Sequence, residues 1–160
     1  MPDFDFGDSP KVYSLPDGAR VVGAGQKSGV YYVLDAATGK VLNSLALEPG
    51  GALGGFFADS AVDQQKGLIL ANGSDWPNPE TTFPIRGDLF AITSDGSQKV
   101  WDFQTPSSPN ITGVAVSKGV VYFQSATDGY LYALDEGTGA LLARVLTAGS
   151  STEVPAHFSA

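Results

Sequence analysis

The sequence predicts an all-β fold made of repeated four-stranded units. Short apolar stretches rich in Val, Ile, Leu and Tyr alternate with glycine turns along the chain. No window of about 11 residues or more holds apolar side chains at a sustained helical spacing. One strand pattern also recurs at long intervals, the mark of a repeat architecture.

The strands read in order as "RVVGA" (20–24), "GVYYVLD" (29–35), "GLILA" (67–71), "GDLFAIT" (87–93), "GVVYFQS" (119–125) and "GYLYALD" (129–135). Each is short, β-branched or aromatic in character, and bounded by turn residues. Glycine supplies 20 of the 160 residues, well above the usual ~7%. Asp17-Gly18, Thr38-Gly39, Lys66-Gly67, Asp95-Gly96, Lys118-Gly119, Asp128-Gly129 and Thr138-Gly139 each separate two apolar stretches, which is hairpin punctuation. Asp35 and Asp135 stand at equivalent turns ahead of Thr-Gly pairs, where short carboxylates cap the backbone.

Setting Ser28–Leu42 over Arg86–Trp101 and Asp128–Leu142 aligns Gly29, Gly87 and Gly129. The same register brings together Tyr32, Phe90 and Tyr132, then Leu34, Ile92 and Leu134. The second offset, 42 residues, matches the ~40 to 50 residues of a four-stranded propeller blade. The first, 58 residues, is lengthened by the loop "GSDWPNPETTFPI". The chain therefore reads as a single partial β-propeller domain with blades at about 1–49, 50–107 and 108–149. Residues 150–160 would open a further blade, its first strand at 156–160. A blade cannot bury both faces alone, and propellers close with typically 4 to 8 blades. Missing blades or self-association are expected to complete the ring.

Composition excludes several function classes. Nine basic against 17 acidic residues leave a net charge of −8, which repels phosphate backbones and argues against nucleic acid as a partner. The longest apolar run, Val30–Leu34, is far short of the ~20 residues of a membrane helix, so no membrane span is expected. With no cysteine, thiolate catalysis, disulfides and Cys-based zinc sites are absent. The start, Met1-Pro2-Asp3-Phe4-Asp5, lacks the cationic and apolar regions of a secretion signal; a cytosolic chain, or one without its original N-terminus, would read this way.

Among candidate functional residues, Asp5 stands between Phe4 and Phe6, which could strip water from it and make it a base; the plain alternative is a carboxylate accepting turn hydrogen bonds, as Asp8 would. Lys27 lies at a strand-to-strand turn, where lysines are usually solvated. "GGALGGFF" (50–57) allows close backbone approach to a flat ligand with Phe56 or Phe57 to stack, or is an inter-blade linker followed by core aromatics. A single histidine, His157, supports neither a triad nor a histidine metal site. Asn72 and Asn110 sit in N-x-S/T sequences that read as chance occurrences rather than glycosylation sites.

"DFDFGDSP" (3–10), "AGQKSG" (24–29) and "GGALGG" (50–55), in that order, resemble the quinoprotein alcohol dehydrogenases, eight-bladed propellers that bind pyrroloquinoline quinone (PQQ), and most of all their polyvinyl-alcohol-dehydrogenase-like members. The resemblance implies PQQ and Ca2+ as cofactors and hydride transfer from an alcohol substrate to the quinone. It makes Asp5 the catalytic base and a calcium ligand, and Lys27 the contact to the quinone oxygens, flanked in the cofactor site by Gln26 and Ser28. It further implies an electron acceptor such as a cytochrome c and a periplasmic or extracellular location. The family's docking tryptophan stands here only at Trp101, with Asn43 and Ala143 near that place in units one and three. This portion by itself is expected to be inactive. The alternative is a non-catalytic propeller of the same repeat type that serves as a protein-binding scaffold.

Overall fold

A computed structural model of the chain describes residues 4–51, 54–75, 86–105, 110, 112–126 and 128–147. Every regular element among them is a strand, and all pairings are antiparallel. Sheet one follows chain order: β1 (Lys11–Ser14), β2 (Arg20–Gly25), β3 (Val30–Asp35) and β4 (Val41–Ala46). Sheet two holds β5 (Gly55–Phe56), β6 (Ala61–Asp63), β7 (Leu68–Asp75), β8 (Arg86–Thr93) and β9 (Lys99–Thr105). Sheet three, again in chain order, is β10 (Ala115–Ser117), β11 (Val120–Gln124), β12 (Tyr130–Asp135) and β13 (Leu141–Leu146).

Sheet two departs from the four-stranded expectation, because β5 and β6 both pair with β7. Between them the Ser60 N–H donates to Asp8 Oδ1 at 2.9 Å, so the chain leaves the ladder to reach the neighbouring segment. The long loop expected after β7, residues 76–85, lies outside the described residues, as do 150–160 and His157.

Local structure follows the sequence closely. All seven turn glycines have positive φ, from 66° at Gly67 to 88° at Gly18, a region closed to most side chains. Asp35 accepts from the Thr38 hydroxyl and N–H, and Asp135 does the same with Thr138. Those bonds hold both carboxyls below the usual aspartate range. Each sheet carries a register shift at the same place, between Val33 and Leu34, Ala91 and Ile92, and Ala133 and Leu134. A bulge repeated at equivalent positions is a feature of the unit, and a bulge increases the local twist of its strand.

Packing explains why the middle unit is the most apolar. Ile69, Ala71, Phe90 and Ile92 face Tyr13, Val21, Tyr31 and Val33 of sheet one. The alternate residues Leu68, Leu70, Leu89 and Ala91 face Val121, Phe123, Tyr132 and Leu134 of sheet three. Strands buried on both faces need continuous apolar sequence, hence "LILA" and "LFAI". Strand β13, by contrast, is exposed along its length, and Leu141, Leu142, Val145 and Leu146 are open to solvent.

The seams between sheets use equivalent positions. Trp101 is opposite Ala91, Asn43 opposite Val33 and Ala143 opposite Ala133. Trp101 Nε1–H donates to the Glu136 carbonyl at 2.9 Å, and its ring covers Gly139. Asn43 Nδ2–H donates to the Asp95 carbonyl of sheet two, also at 2.9 Å. Asn43 thus docks its sheet on the next turn as the tryptophan does, with less area. Two further ties cross the seams: Tyr13 O–H donates to the Ser94 carbonyl, and Lys66 Nζ pairs with the fully buried Glu136 at 2.8 Å.

Asn72 and Asn110 are fully buried. Asn72 Nδ2–H donates to the Thr112 carbonyl, and Asn110 Oδ1 accepts from the Thr105 hydroxyl. Both serve the junction of sheets two and three, in keeping with their reading as chance N-x-S/T matches.

Candidate functional site

Three segments far apart in sequence meet beside the turn joining β2 and β3. Gln26–Gly29 forms that turn, closed by Gly29 N–H on the Gln26 carbonyl and Gln26 N–H on the Val30 carbonyl. Residues 4–8 run alongside it, with Lys27 N–H donating to the Asp5 carbonyl at 2.9 Å. The glycine-rich segment closes the other side: Gly51 N–H donates to the Lys27 carbonyl at 3.0 Å and Phe56 N–H to the Gln26 carbonyl at 3.2 Å. Gly55, at φ +71°, packs so tightly here that a Cβ would overlap the Lys27 carbonyl. The glycines of "GGALGG" therefore let two stretches of this chain's own backbone approach each other.

On this scaffold the Lys27 side chain is held rather than solvated. Its ammonium is 3.7 Å from Asp5 Oδ2 and 4.8 Å from the centre of the Phe57 ring. The Lys27 side chain is 17% exposed and that of Asp5 is 79% exposed. A separation of 3.7 Å is an ion pair rather than a hydrogen bond, and at this exposure it adds little stability. The ring face contributes a cation–π attraction that favours an ordered ammonium.

The sequence-predicted residues divide as follows. Asp5 and Lys27 are brought together. Gln26 and Ser28 turn toward each other, Ser28 Oγ–H donating to Gln26 Oε1 at 2.6 Å, and so they stiffen the turn. Phe4 and Phe6 are largely exposed and do not shield Asp5, which corrects the expected desolvation of that carboxylate; Phe6 leans on Tyr32 instead. Of the two phenylalanines offered as stacking partners, Phe56 enters the core and Phe57 lies against Lys27.

Asp8 is the member of the cluster that sequence reasoning undervalued. Fully enclosed, it accepts from Gly25 N–H (3.1 Å), Ser60 N–H (2.9 Å), Ser60 O–H (2.7 Å) and Lys11 Nζ (3.2 Å). It joins the N-terminal segment to both neighbours of the site. The sequence signals were its place inside the "DFDFGDSP" motif and its reading as an acceptor of turn hydrogen bonds.

The residues suit an anionic planar group better than a metal ion. An ordered ammonium beside an aromatic face can meet quinone oxygens or carboxylates. Calcium takes about six to eight oxygen ligands, whereas no group of three or more potential metal ligands converges among the described residues. Asp5 alone, with Lys27 as its neighbour, does not fit that ion.

No family model matches the chain. It is similar to the polyvinylalcohol dehydrogenase of a Pseudomonas species, 30% identical over 160 residues, spanning 93% of this chain and 24% of that protein. The polyvinylalcohol dehydrogenase of Sphingopyxis sp. (strain 113P3) is 28% identical over 154 residues. The chain spans about a quarter of the length of these curated relatives. Among solved structures, quinohemoprotein alcohol dehydrogenase from Comamonas testosteroni superposes with a TM-score of 0.68 at 18% identity, over 86% of this chain and 30% of that one. BamB from Moraxella catarrhalis gives 0.58 at 20% identity, over 89% and 37%. The structural likenesses establish blades of a β-propeller. With the two curated relatives they bear out the resemblance to the quinoprotein alcohol dehydrogenases.

Proposed function

We propose that this chain supplies part of the cofactor-binding rim of a PQQ-dependent alcohol dehydrogenase, with Lys27 directed at the quinone and Asp5 taking the hydroxyl proton of the substrate. The observation that carries this reading is the meeting of the three family-like motifs around Lys27, whose ammonium lies between Asp5 and Phe57. When bound, the quinone supplies the two-electron acceptor for alcohol oxidation. Lys27 would counter its negative charge, and Phe57 would keep the ammonium from swinging into water. Asp5, open to solvent, is reachable by a substrate and can pass its proton on to water. Gln26 and Ser28 would act by keeping the turn rigid.

The likeness to the dehydrogenases extends the proposal to a polyvinyl-alcohol-like or other alcohol as substrate, a cytochrome c as electron acceptor, and a periplasmic or extracellular setting. No helix among the described residues is long and apolar enough to cross a membrane. The calcium ion expected from the likeness would take its ligands from other blades, not from the Asp5–Lys27 pair. The remaining wedges of the ring would cover the apolar face of β13; the chain in isolation is expected to associate through it. Size-exclusion chromatography with light scattering checks this, and a sharp monomer that melts cooperatively would show that three sheets suffice.

The test is reconstitution of the protein bearing these blades with PQQ and calcium. Quinone titration is expected to show saturable binding that Lys27→Met weakens at least tenfold. Asp5→Asn is expected to leave binding and fold intact and to abolish dye-linked alcohol oxidation. Absence of quinone binding would hand the chain to the scaffold reading, in which the same blades present a protein-binding surface without chemistry.

A further inference from the structure

A cavity of about 210 Å3 opens between the linker that follows β4 and the strands of sheet two. From sheet one, Glu48 is the ionisable group that faces it; sheet two contributes Asp75 from β7, Arg86 and Asp88 from β8, and Lys99 and Asp102 from β9. The two cations already have partners: Arg86 lies 3.4 Å from Asp75, and Lys99 is 2.6 Å from Asp102. The Arg86 charge also reaches Glu48 and Asp88 and opposes their rise, but burial outweighs it at both carboxyls.

One oxygen of each carboxylate is cut off from water. Asp88 is 5% exposed, and Asp88 Oδ1 and Glu48 Oε1 are buried with no hydrogen-bond partner. Glu48 is wedged against strand β7, where a Cβ on Gly73 would stand 2.6 Å from its Oε1. Two adjacent negative charges at a partly buried seam are disfavoured, whereas a carboxyl hydrogen-bonded to a carboxylate is not.

The linker bearing Glu48 also holds the site turn. Leu47 N–H and Glu48 N–H both donate to the Gly29 carbonyl, at 2.9 and 3.2 Å, and Gly51 N–H donates to the Lys27 carbonyl. The Glu48 side chain therefore pins to sheet two the same segment whose backbone positions Lys27.

We propose that Glu48 and Asp88 share a single proton across the seam between sheets one and two, and that this proton fixes the linker and, through it, the Lys27 turn. The device is proton-controlled: removal of the shared proton places two charges in the seam, and the linker yields. Burial, the Asp88 charge and the Asp75 charge push Glu48 up to about 9, and burial likewise raises Asp88, the Gln104 hydrogen bond opposing it. The sign follows. The unfolded glutamate loses its proton near 4.5 and the folded one near 9, so the folded state holds the extra proton between those values. Stability falls as pH rises through that window, by up to about tenfold in the folding constant per pH unit, and levels off above it.

The experiment is an alkaline NMR titration of the full chain that follows the Glu48 side-chain carboxyl carbon and the amides of Ser28, Gly29 and Gly51. The Glu48 carbon is expected to titrate with a midpoint near 9, and the three amides to move with the same midpoint. Glu48→Gln, which keeps the shape and a donor toward Asp88, should abolish the amide step while holding the acid-form positions. Asp88→Asn, a second variant, should lower the Glu48 midpoint by a unit or more. A Glu48 midpoint near 4.5, amides that ignore the step, or a step that survives in Glu48→Gln would each overturn the proposal. The readout is the turn itself, so it does not depend on what Lys27 binds.

Discussion

Replacing Trp101 by alanine is expected to destabilise the fold by about 3–5 kcal/mol, the cost of truncating a large core aromatic. Trp101 is 9% exposed and belongs to the core between sheets two and three. It fills the space above Gly139, where an added Cβ would stand 2.7 Å from the ring, and its indole N–H is the donor to the Glu136 carbonyl. Alanine removes the buried ring and leaves that carbonyl at the seam without its partner. Trp101→Phe should recover most of the packing but not the hydrogen bond, leaving a loss of about 1–2 kcal/mol. Urea unfolding monitored by far-ultraviolet circular dichroism provides the values. A loss below about 1 kcal/mol for the alanine variant would mean that the ring is not what couples these sheets. At the equivalent position of sheet one, Asn43→Ala should lose about 1 kcal/mol, since one hydrogen bond to Asp95 is at stake rather than a buried ring.

Asp8→Ala is expected to be comparably damaging, by about 3–5 kcal/mol, for a different reason. The carboxylate is enclosed and accepts four bonds, from two backbone amides, one hydroxyl and one ammonium. Without it the Gly25 and Ser60 amides remain buried with nothing to donate to, and Lys11 retains only its Asp59 and Ser9 contacts. Asp8→Asn keeps the size but offers its amide group to donors, so it should recover less than half of the loss. The distinguishing measurement is hydrogen exchange at the Gly25 and Ser60 amides. Protection that survives in Asp8→Ala would show that other acceptors hold these segments together. The same variant should loosen the N-terminal segment that carries Asp5, and so weaken quinone binding in the reconstituted protein.

The two effects show how differently the parts of this molecule are written in its sequence. Trp101 was singled out by the resemblance, because it stands where that family carries its docking tryptophan. Asn43 stands at the same register position, yet nothing local reveals that a polar side chain does the docking there; its partner is 52 residues away in the chain. Asp8 reads as an ordinary turn residue until Ser60, also 52 residues distant, is folded onto it. The Lys27 turn was located from its motif, but the ring that holds the ammonium could be assigned to Phe57 rather than Phe56 only once β5 was placed in the core.

By itself the sequence determined what depends on neighbours in the chain: the strands from their alternation, the turns from glycines that adopt positive φ, the caps at Asp35 and Asp135, and the repeat of the strand pattern. These features follow from backbone sterics and short-range hydrogen bonds, which a few contiguous residues fix. Only the tertiary structure decided that Asp5 is open to water, that Asn72 and Asn110 are buried, and that Glu48 and Asp88 line one cavity. Exposure and charge environment are properties of the space around a side chain. Here that space is bounded by strands from separate sheets, brought together by packing that no single segment specifies.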